Sequence, residues 1–183
     1  MWEPLPPAFS TRDTARVARA LLGQHLVHVV DGVPRVGRIV ETEAYLGPGD
    51  LACHSAKGRT PRTEVMFGPA HHAYVYLIYG MHLCLNVVTG NGAAVLIRAL
   101  EPVSGLDHAR TDGPGRLTKA LGLSLKTHNA RPLHEGPLFL AKGPKVPPRH
   151  IGAGPRIGID YAGEWVDAPL RFVDLRSRFV SGK

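Results

Sequence analysis

Residues 36–45 read VGRIVETEAY, and the rest of the fold is read outward from this run. Val36, Ile39 and Val40, followed by polar–apolar alternation, predict an extended strand. Side chains two apart on a strand share a face. Ile39, Glu41, Glu43 and Tyr45 are therefore expected on one side, and Val36, Val40 and Ala44 on the other. Two carboxylates and a phenol at the end of an apolar strand are costly to bury and useful to place. On its own, ETEAY reads more readily as a strand whose polar face is solvated. The chemical reading is a carboxylate among tyrosines acting as general base on water.

Upstream, QHLVHVV (24–30) reads as a second strand, joined to the first by Asp31-Gly32, a hairpin signal. Val17, Ala18, Leu21 and Leu22 recur at helical spacing and predict a helix over 11–22, with Ser10 and Asp13 as a capping box and Gly23 as C-cap. Residues 1–9 are Pro-rich and read as an irregular arm. Downstream, 46–73 is polar, glycine-containing and basic. It reads as a long surface loop with one short helical turn, and loops of that length are often functional. AYVYLIY (73–79), HLCLNVV (82–88) and AAVLIRAL (93–100), separated by Gly80 and TGNG (89–92), predict an antiparallel meander that Pro102 closes. GPGRLTKALGL (113–123) predicts a short helix. Residues 126–150 are rich in Pro, His, Lys and Arg, and 155–175 suggests two more short strands. There is no internal repeat and no linker, so one domain over 1–183 is expected.

Length and composition agree. The chain has 183 residues, 44% of them apolar, enough for one sizeable core. A net charge of +7 and ten histidines suit a polyanion, either nucleic acid or an anionic membrane. Cys53 and Cys84 form no CxxC pair and make a weak case for a disulfide framework; reduced thiols of a cytosolic protein are the expectation. Neither a signal peptide nor a membrane span is expected, because no apolar run approaches the required length. HExxH, HxH and a Cys/His quartet are missing, as are GxSxG, GxGxxG and a Walker A loop. No metal, nucleophilic serine or nucleotide cofactor is expected.

Two further groups invite function. Tyr74 and Tyr76 share a strand face, while Tyr79 has the opposite parity and precedes Gly80. Core or cross-strand packing explains such rings, but an aromatic exposed at a hairpin tip also suits a base stack. Lys57, Arg59, Arg62, Arg98, Arg116, Lys119 and the 142–156 stretch supply scattered cations. Arg116 and Lys119 fall early in a short helix after glycines, an arrangement that suits phosphate; the alternative is a solvated basic face.

The strings GRIVETEAYLGPGDLACHS (37–55), GRTPR (58–62), YVYLIYGMHLCLNV (74–87), VLIRALEP (95–102), GPGRLTKALG (113–122) and RIGIDYAGEWVDAPLRF (156–172) occur in this order. Together they resemble the alkyladenine (3-methyladenine) DNA glycosylase family, monofunctional enzymes that excise purines in base excision repair. The resemblance implies an α+β fold: a single mixed domain with a curved antiparallel sheet, short helices and a protruding β-hairpin that intercalates into DNA. It implies Glu43 as the base that activates the attacking water, with Arg98 and the main-chain carbonyl of Ile157 holding that water. Tyr45, His54 and Tyr76 would sandwich the flipped base, and Asn86 would help exclude guanine through its 2-amino group. Tyr79 would fill the gap left in the duplex. Arg59, Arg62, His82, Arg116 and Lys119 are the expected backbone contacts. The expected partner is double-stranded DNA containing a damaged purine, met by a monomer in the bacterial cytoplasm on the nucleoid, without metal or organic cofactor.

The chain departs from that pattern in places. His82 stands where vertebrate members carry an aromatic residue, VMFGPAHHA (65–73) fits less well, and a long basic N-terminal tail like theirs is not expected. Two other classes compete: a non-catalytic nucleic-acid-binding module, and a metal-dependent nuclease using Glu41, Glu43 and histidines. A pure binder gains nothing from Glu43 aimed at phosphate, and activity that survives EDTA would exclude the nuclease.

Overall fold

The computed structural model describes residues 1–182. Eight strands form one antiparallel, curled sheet: β1 (His25–Val30), β2 (Val33–Tyr45), β3 (Ala73–Ile78), β4 (His82–Gly90), β5 (Ala93–Ser104), β6 (Leu138–Ala141), β7 (Ile151–Gly154) and β8 (Arg171–Asp174). Three short helices accompany them: α1 (Thr14–Leu21), α2 (Pro114–Leu121) and α3 (Leu125–His128). The α+β class expected from the sequence is the one found.

The sheet is organised by β2. One edge pairs with β5 along most of its length; the other pairs with β1 near its start and with β8 at Glu41–Glu43. Three strands therefore meet around the two glutamates, and β7 extends β8 outward. Both β1–β2 and β4–β5 turn through residues with positive φ, Asp31-Gly32 and Asn91-Gly92, as two-residue hairpins require.

The face assignment of β2 needs one correction. Pairing with β5 is irregular around Glu41 and Ala99, and side-chain parity changes there. Ile39 joins Ala44, Leu100 and Ile97 in the main core, on the face opposite Glu43. On that same face Thr42 Oγ1 donates to Ala18 O, which places α1 behind the strand. Val36 packs in a separate cluster with Val27 and Ala141.

Other boundaries shift for identifiable reasons. The N-cap of α1 is Asp13, whose carboxylate accepts from Arg16 N at 3.0 Å. Ser10 is buried instead against His71, 2.7 Å from its Nδ1. The N-terminal arm is docked: Leu5 N donates to Leu140 O, and Leu5 is buried. Pro102 does not end β5. It lies opposite Gly37 beside a register shift, where a missing N–H is tolerated. Of the two strands expected in 155–175, only β8 lies there; β7 precedes it, and 156–170 is loop with one 3-10 turn at Gly163–Trp165. Among the described residues no helix is long and apolar enough to cross a membrane.

Candidate active site

Glu43 is fully buried on β2, yet its carboxylate is surrounded by donors. Oε1 accepts from Ile157 N at 2.7 Å and lies 3.2 Å from an Arg98 Nη. Oε2 accepts from the Tyr45 hydroxyl at 2.7 Å. Strand alternation brings Glu43 and Tyr45 to one face, as expected. Burial, then the Glu43 carboxylate, push the Tyr45 phenol far above its usual range, so it remains a donor.

Glu41 is also fully buried, and its carboxylate accepts four hydrogen bonds. Oε1 accepts from Arg98 Nε, Arg171 Nε and the Ser181 hydroxyl, and Oε2 from Ser181 N. Arg98 thus bridges the two glutamates. Burial opposes its charge, but Glu43 and Glu41 outweigh that and raise its pKa. The solvated-face reading of ETEAY is overturned at both carboxylates.

Beside Glu43 lies a narrow slot walled by Tyr45, Tyr76, His54, Tyr74 and Asn86, with Cys53 and Met66 among its other neighbours. The His54 and Tyr76 rings meet edge to face at 4.5 Å between centroids, and Nδ1 of His54 hydrogen-bonds the Tyr74 hydroxyl at 3.0 Å. Burial and the Arg62 charge hold the His54 pKa down to about 4, so the imidazole is neutral at physiological pH. Asn86 Nδ2 donates to Tyr74 O at 3.2 Å. As it stands the slot measures about 20 Å³, room for about one water and not a purine. A larger concavity, about 920 Å³, lies between the arm, α1 and residues 142–151, and Glu43 is not among the residues that line it. Hydrogen-bonded, titratable side chains converge on the small slot, which makes it the candidate site.

The other expected residues are dispersed. Tyr79 is 85% exposed at the β3–β4 turn, with φ of +52°. Arg62 stacks on Tyr76 with its guanidinium 5.4 Å from the ring centre. Arg59 pairs with Glu64 and lies over Phe67. Arg116 pairs with Asp112, Lys119 is exposed on α2, and exposed His82 lies against Gly115 at the start of that helix. Ile157 does touch Glu43, through its N–H.

Sequence reasoning gave no role to Asp50 and counted Arg156 only among the scattered cations of 142–156. Arg156 is buried, grips Asp50 with both terminal nitrogens, donates to Ala44 O and lies 4.8 Å above the Tyr45 ring. Asp50 also accepts from Leu46 N and Ala52 N. The pair fastens two loops to the end of β2, fixing both Tyr45 and the Ile157 amide. Each residue stands in a quoted string, but their pairing spans 106 positions and leaves no local signal.

With this geometry in view, the chain was compared with known proteins. The family model described as methylpurine-DNA glycosylase matches residues 8–178. A proposed 3-methyladenine DNA glycosylase of Myxococcus xanthus (strain DK1622) is 60% identical over 181 residues, 97% of this chain and 93% of that protein. One of the same name from Legionella pneumophila (strain Lens) is 52% identical over 180 residues, 97% of each chain. Another from Bacillus cereus is 49% identical over 205 residues, 97% of this chain and 98% of that one. The class so defined is a DNA-repair hydrolase acting on N-glycosyl bonds. Within that class the chain belongs to the methylpurine-DNA glycosylase family.

Proposed function

We propose that the protein flips alkylated or deaminated purines from duplex DNA and hydrolyses the N-glycosidic bond with water activated by Glu43, leaving an abasic site. One observation carries this reading. Of roughly four acceptor positions on the Glu43 carboxylate, three contacts are made, two at Oε1 and one at Oε2. Oε2 keeps a lone pair for a water beside an aromatic slot.

The bond to the base breaks through an oxocarbenium-like sugar, whose positive charge a nearby carboxylate stabilises. The water oxygen bonds C1′ as Glu43 takes its proton, and the bonding electrons leave with the base. A cationic alkylpurine departs neutral. Arg98 and the Ile157 carbonyl are assigned to holding the water, and Tyr45, His54 and Tyr76 to stacking the base, which recovers part of the cost of unstacking it. A neutral His54 does not repel a cationic purine. Asn86 is assigned to rejecting guanine, Tyr79 to filling the gap, and Arg59, Arg62, His82, Arg116 and Lys119 to phosphate. Among the described residues no lysine lines the slot to form a Schiff base, and strand cleavage is left out of the proposed reaction. The slot must widen to admit a purine. The protein is assigned to act as a monomer in the bacterial cytoplasm, on the nucleoid.

The test is a duplex with one hypoxanthine or 1,N6-ethenoadenine, incubated with enzyme and EDTA and then treated with hot alkali. Breaks that appear only after alkali are expected from the wild type. Glu43→Gln should excise at least 100-fold more slowly while still binding the lesion duplex. Excision by Glu43→Gln at the wild-type rate overturns the assignment.

A further inference from the structure

The groove of about 920 Å³ between the arm, α1 and residues 142–151 is lined by no residue assigned above to the base, the water or phosphate. Its floor is apolar: Leu5, Leu22 and Val146 are buried there, with Phe9 and Ile151 partly buried beside them. Its rim is cationic. Arg12, Arg16, Arg19, Lys142 and Lys145 line it and are exposed, and among the described residues no carboxylate lines it. Of these cations only Lys142 pairs with an acid among the described residues, and that acid is Glu3. Arg12 and Arg19 lie instead over aromatic rings, 4.6 Å from the centre of Phe9 and 4.2 Å from that of Phe172. Such stacking holds a guanidinium in place without neutralising it. Like charges gathered around an apolar recess repel one another in the free protein, and an anionic occupant relieves that repulsion.

The chain's own arm shows what this edge takes. Residues 3–5 lie extended along β6: Lys142 N donates to Glu3 O, Leu5 N donates to Leu140 O, and Pro4 bridges to Ala141. The Glu3 carboxylate meets Lys142 on the rim, and two residues on the Leu5 side chain is buried in the floor. An acid on the rim with an apolar side chain in the floor is therefore a pattern already bound here.

We propose that the groove is the docking site for an acidic amphipathic peptide segment of a partner protein. Its carboxylates meet Arg16, Arg19 and Lys145, and its apolar side chains pack on Phe9, Val146 and Ile151. Duplex DNA fits the rim but not the floor, because its backbone offers phosphates and no apolar group to fill the recess. α1, which forms one wall, packs behind β2 on the face opposite Glu43, so a peptide in the groove leaves the slot open to DNA. This site goes beyond the glycosylase reading and does not depend on it.

The probe is a fluorescein-labelled synthetic peptide in which Asp and Glu are interspersed with Leu and Phe, titrated with the full chain and followed by anisotropy. Saturable binding is expected, with a Kd below about 100 μM. Replacing the acids by Lys, or the apolar residues by Ser, should weaken it at least about tenfold, since one change removes the charge complement and the other the apolar anchors. Arg16→Glu combined with Lys145→Glu should weaken it about as much; both side chains are exposed, and the melting temperature of the double variant reports that its fold is kept. Backbone amide shifts on peptide addition should move at Ala20, Gly143 and Lys145. Saturating peptide should leave affinity for a lesion duplex within about twofold, because the two sites share no lining residue. Binding that does not saturate below about 1 mM overturns the proposal. Equal affinity for the Ser-substituted peptide also overturns it, since charge attraction alone would then explain the binding. So does displacement of the peptide by undamaged duplex or by vesicles of anionic lipid, which would assign the groove to nucleic acid or to a membrane surface. The glycosylase reading fails separately, through the absence of alkali-labile sites on any lesion duplex.

Discussion

At the scale of single residues, the two glutamates of β2 show how far position alone reaches. Their two-residue spacing puts both on one face, and nothing local separates them. Contacts do: Glu41 accepts four hydrogen bonds, from Arg98, Arg171 and twice from Ser181, whereas Glu43 makes three contacts, one of them to Tyr45 at the wall of the slot. The Tyr45 hydroxyl is one of three groups orienting Glu43, so Tyr45→Phe should lower the single-turnover excision rate about tenfold with lesion affinity within twofold. An unchanged rate would show that the hydroxyl is dispensable. Half-buried His54 and buried His71 contribute to the pH response of stability, and His128 is shifted the same way by burial. Burial, then Arg62, lowers the His54 pKa to about 4; burial, then His134, does the same for His71. Between about pH 4 and 6.5 the unfolded chain binds protons at these sites that the folded chain refuses. Stability is therefore full above pH 6.5, falls as pH drops through that window, and levels off below about 4 with respect to these groups. Calorimetric melting across pH 4–7 should show this decline, and His71→Gln should reduce its slope; an unchanged slope would refute the assignment for that residue.

Among the elements, the β3–β4 hairpin carries a conflict between stability and use. Its turn closes by Met81 N donating to Ile78 O, with Tyr79 at φ +52° and Gly80 at +70°. Glycine takes that conformation freely, whereas an L-residue pays about 1–2 kcal/mol for it. A large ring kept there and exposed is strain of the kind found at functional sites. Tyr79→Gly should raise stability by up to about 1 kcal/mol in denaturant melts, offset partly by the entropy glycine gains when unfolded. The same variant should weaken retention of the flipped state. A gain in lesion affinity would sink the wedge role. Hairpins were the most legible elements because their signals are chemical: Asp31-Gly32, Tyr79-Gly80 and Asn91-Gly92 supply positive φ where tight turns need it. Short pieces were not legible. LFLA (138–141) is a strand only because β1 offers an edge, and Pro102 sits inside β5 only because Gly37 opposes it at a register shift.

On the scale of the whole molecule, the site is closed by contacts that no local pattern encodes. The chain's last turn returns to the centre of the sheet, where Ser181 N and Oγ bind Glu41, 140 residues away. Family strings placed Glu43, Tyr45 and Arg98 correctly in one neighbourhood, since pairing of β2 with β5 brings them together. They were silent on Asp50–Arg156 and on Ser181, because those partners depend on where distant loops land. The closing segment bears on Glu43 indirectly: Arg98 holds Glu43 with one nitrogen and Glu41 with another, so the Ser181 contacts also position the carboxylate proposed as the base. Removing residues 179–183 leaves Glu41 buried with only its arginine partners, and stripping part of a buried ionic network costs about 3–5 kcal/mol. A fall in Tm of about 10 °C is expected for a chain of this size. Below that Tm, excision should drop with lesion affinity largely kept, because the base slot and hairpin lie elsewhere. Ser181→Ala, which removes the hydroxyl and leaves the N–H, should show the same pattern at roughly a third of the size. If the truncated protein melts within 2 °C of the full chain and excises equally well, the C-terminal segment neither stabilises Glu41 nor positions Glu43 through it.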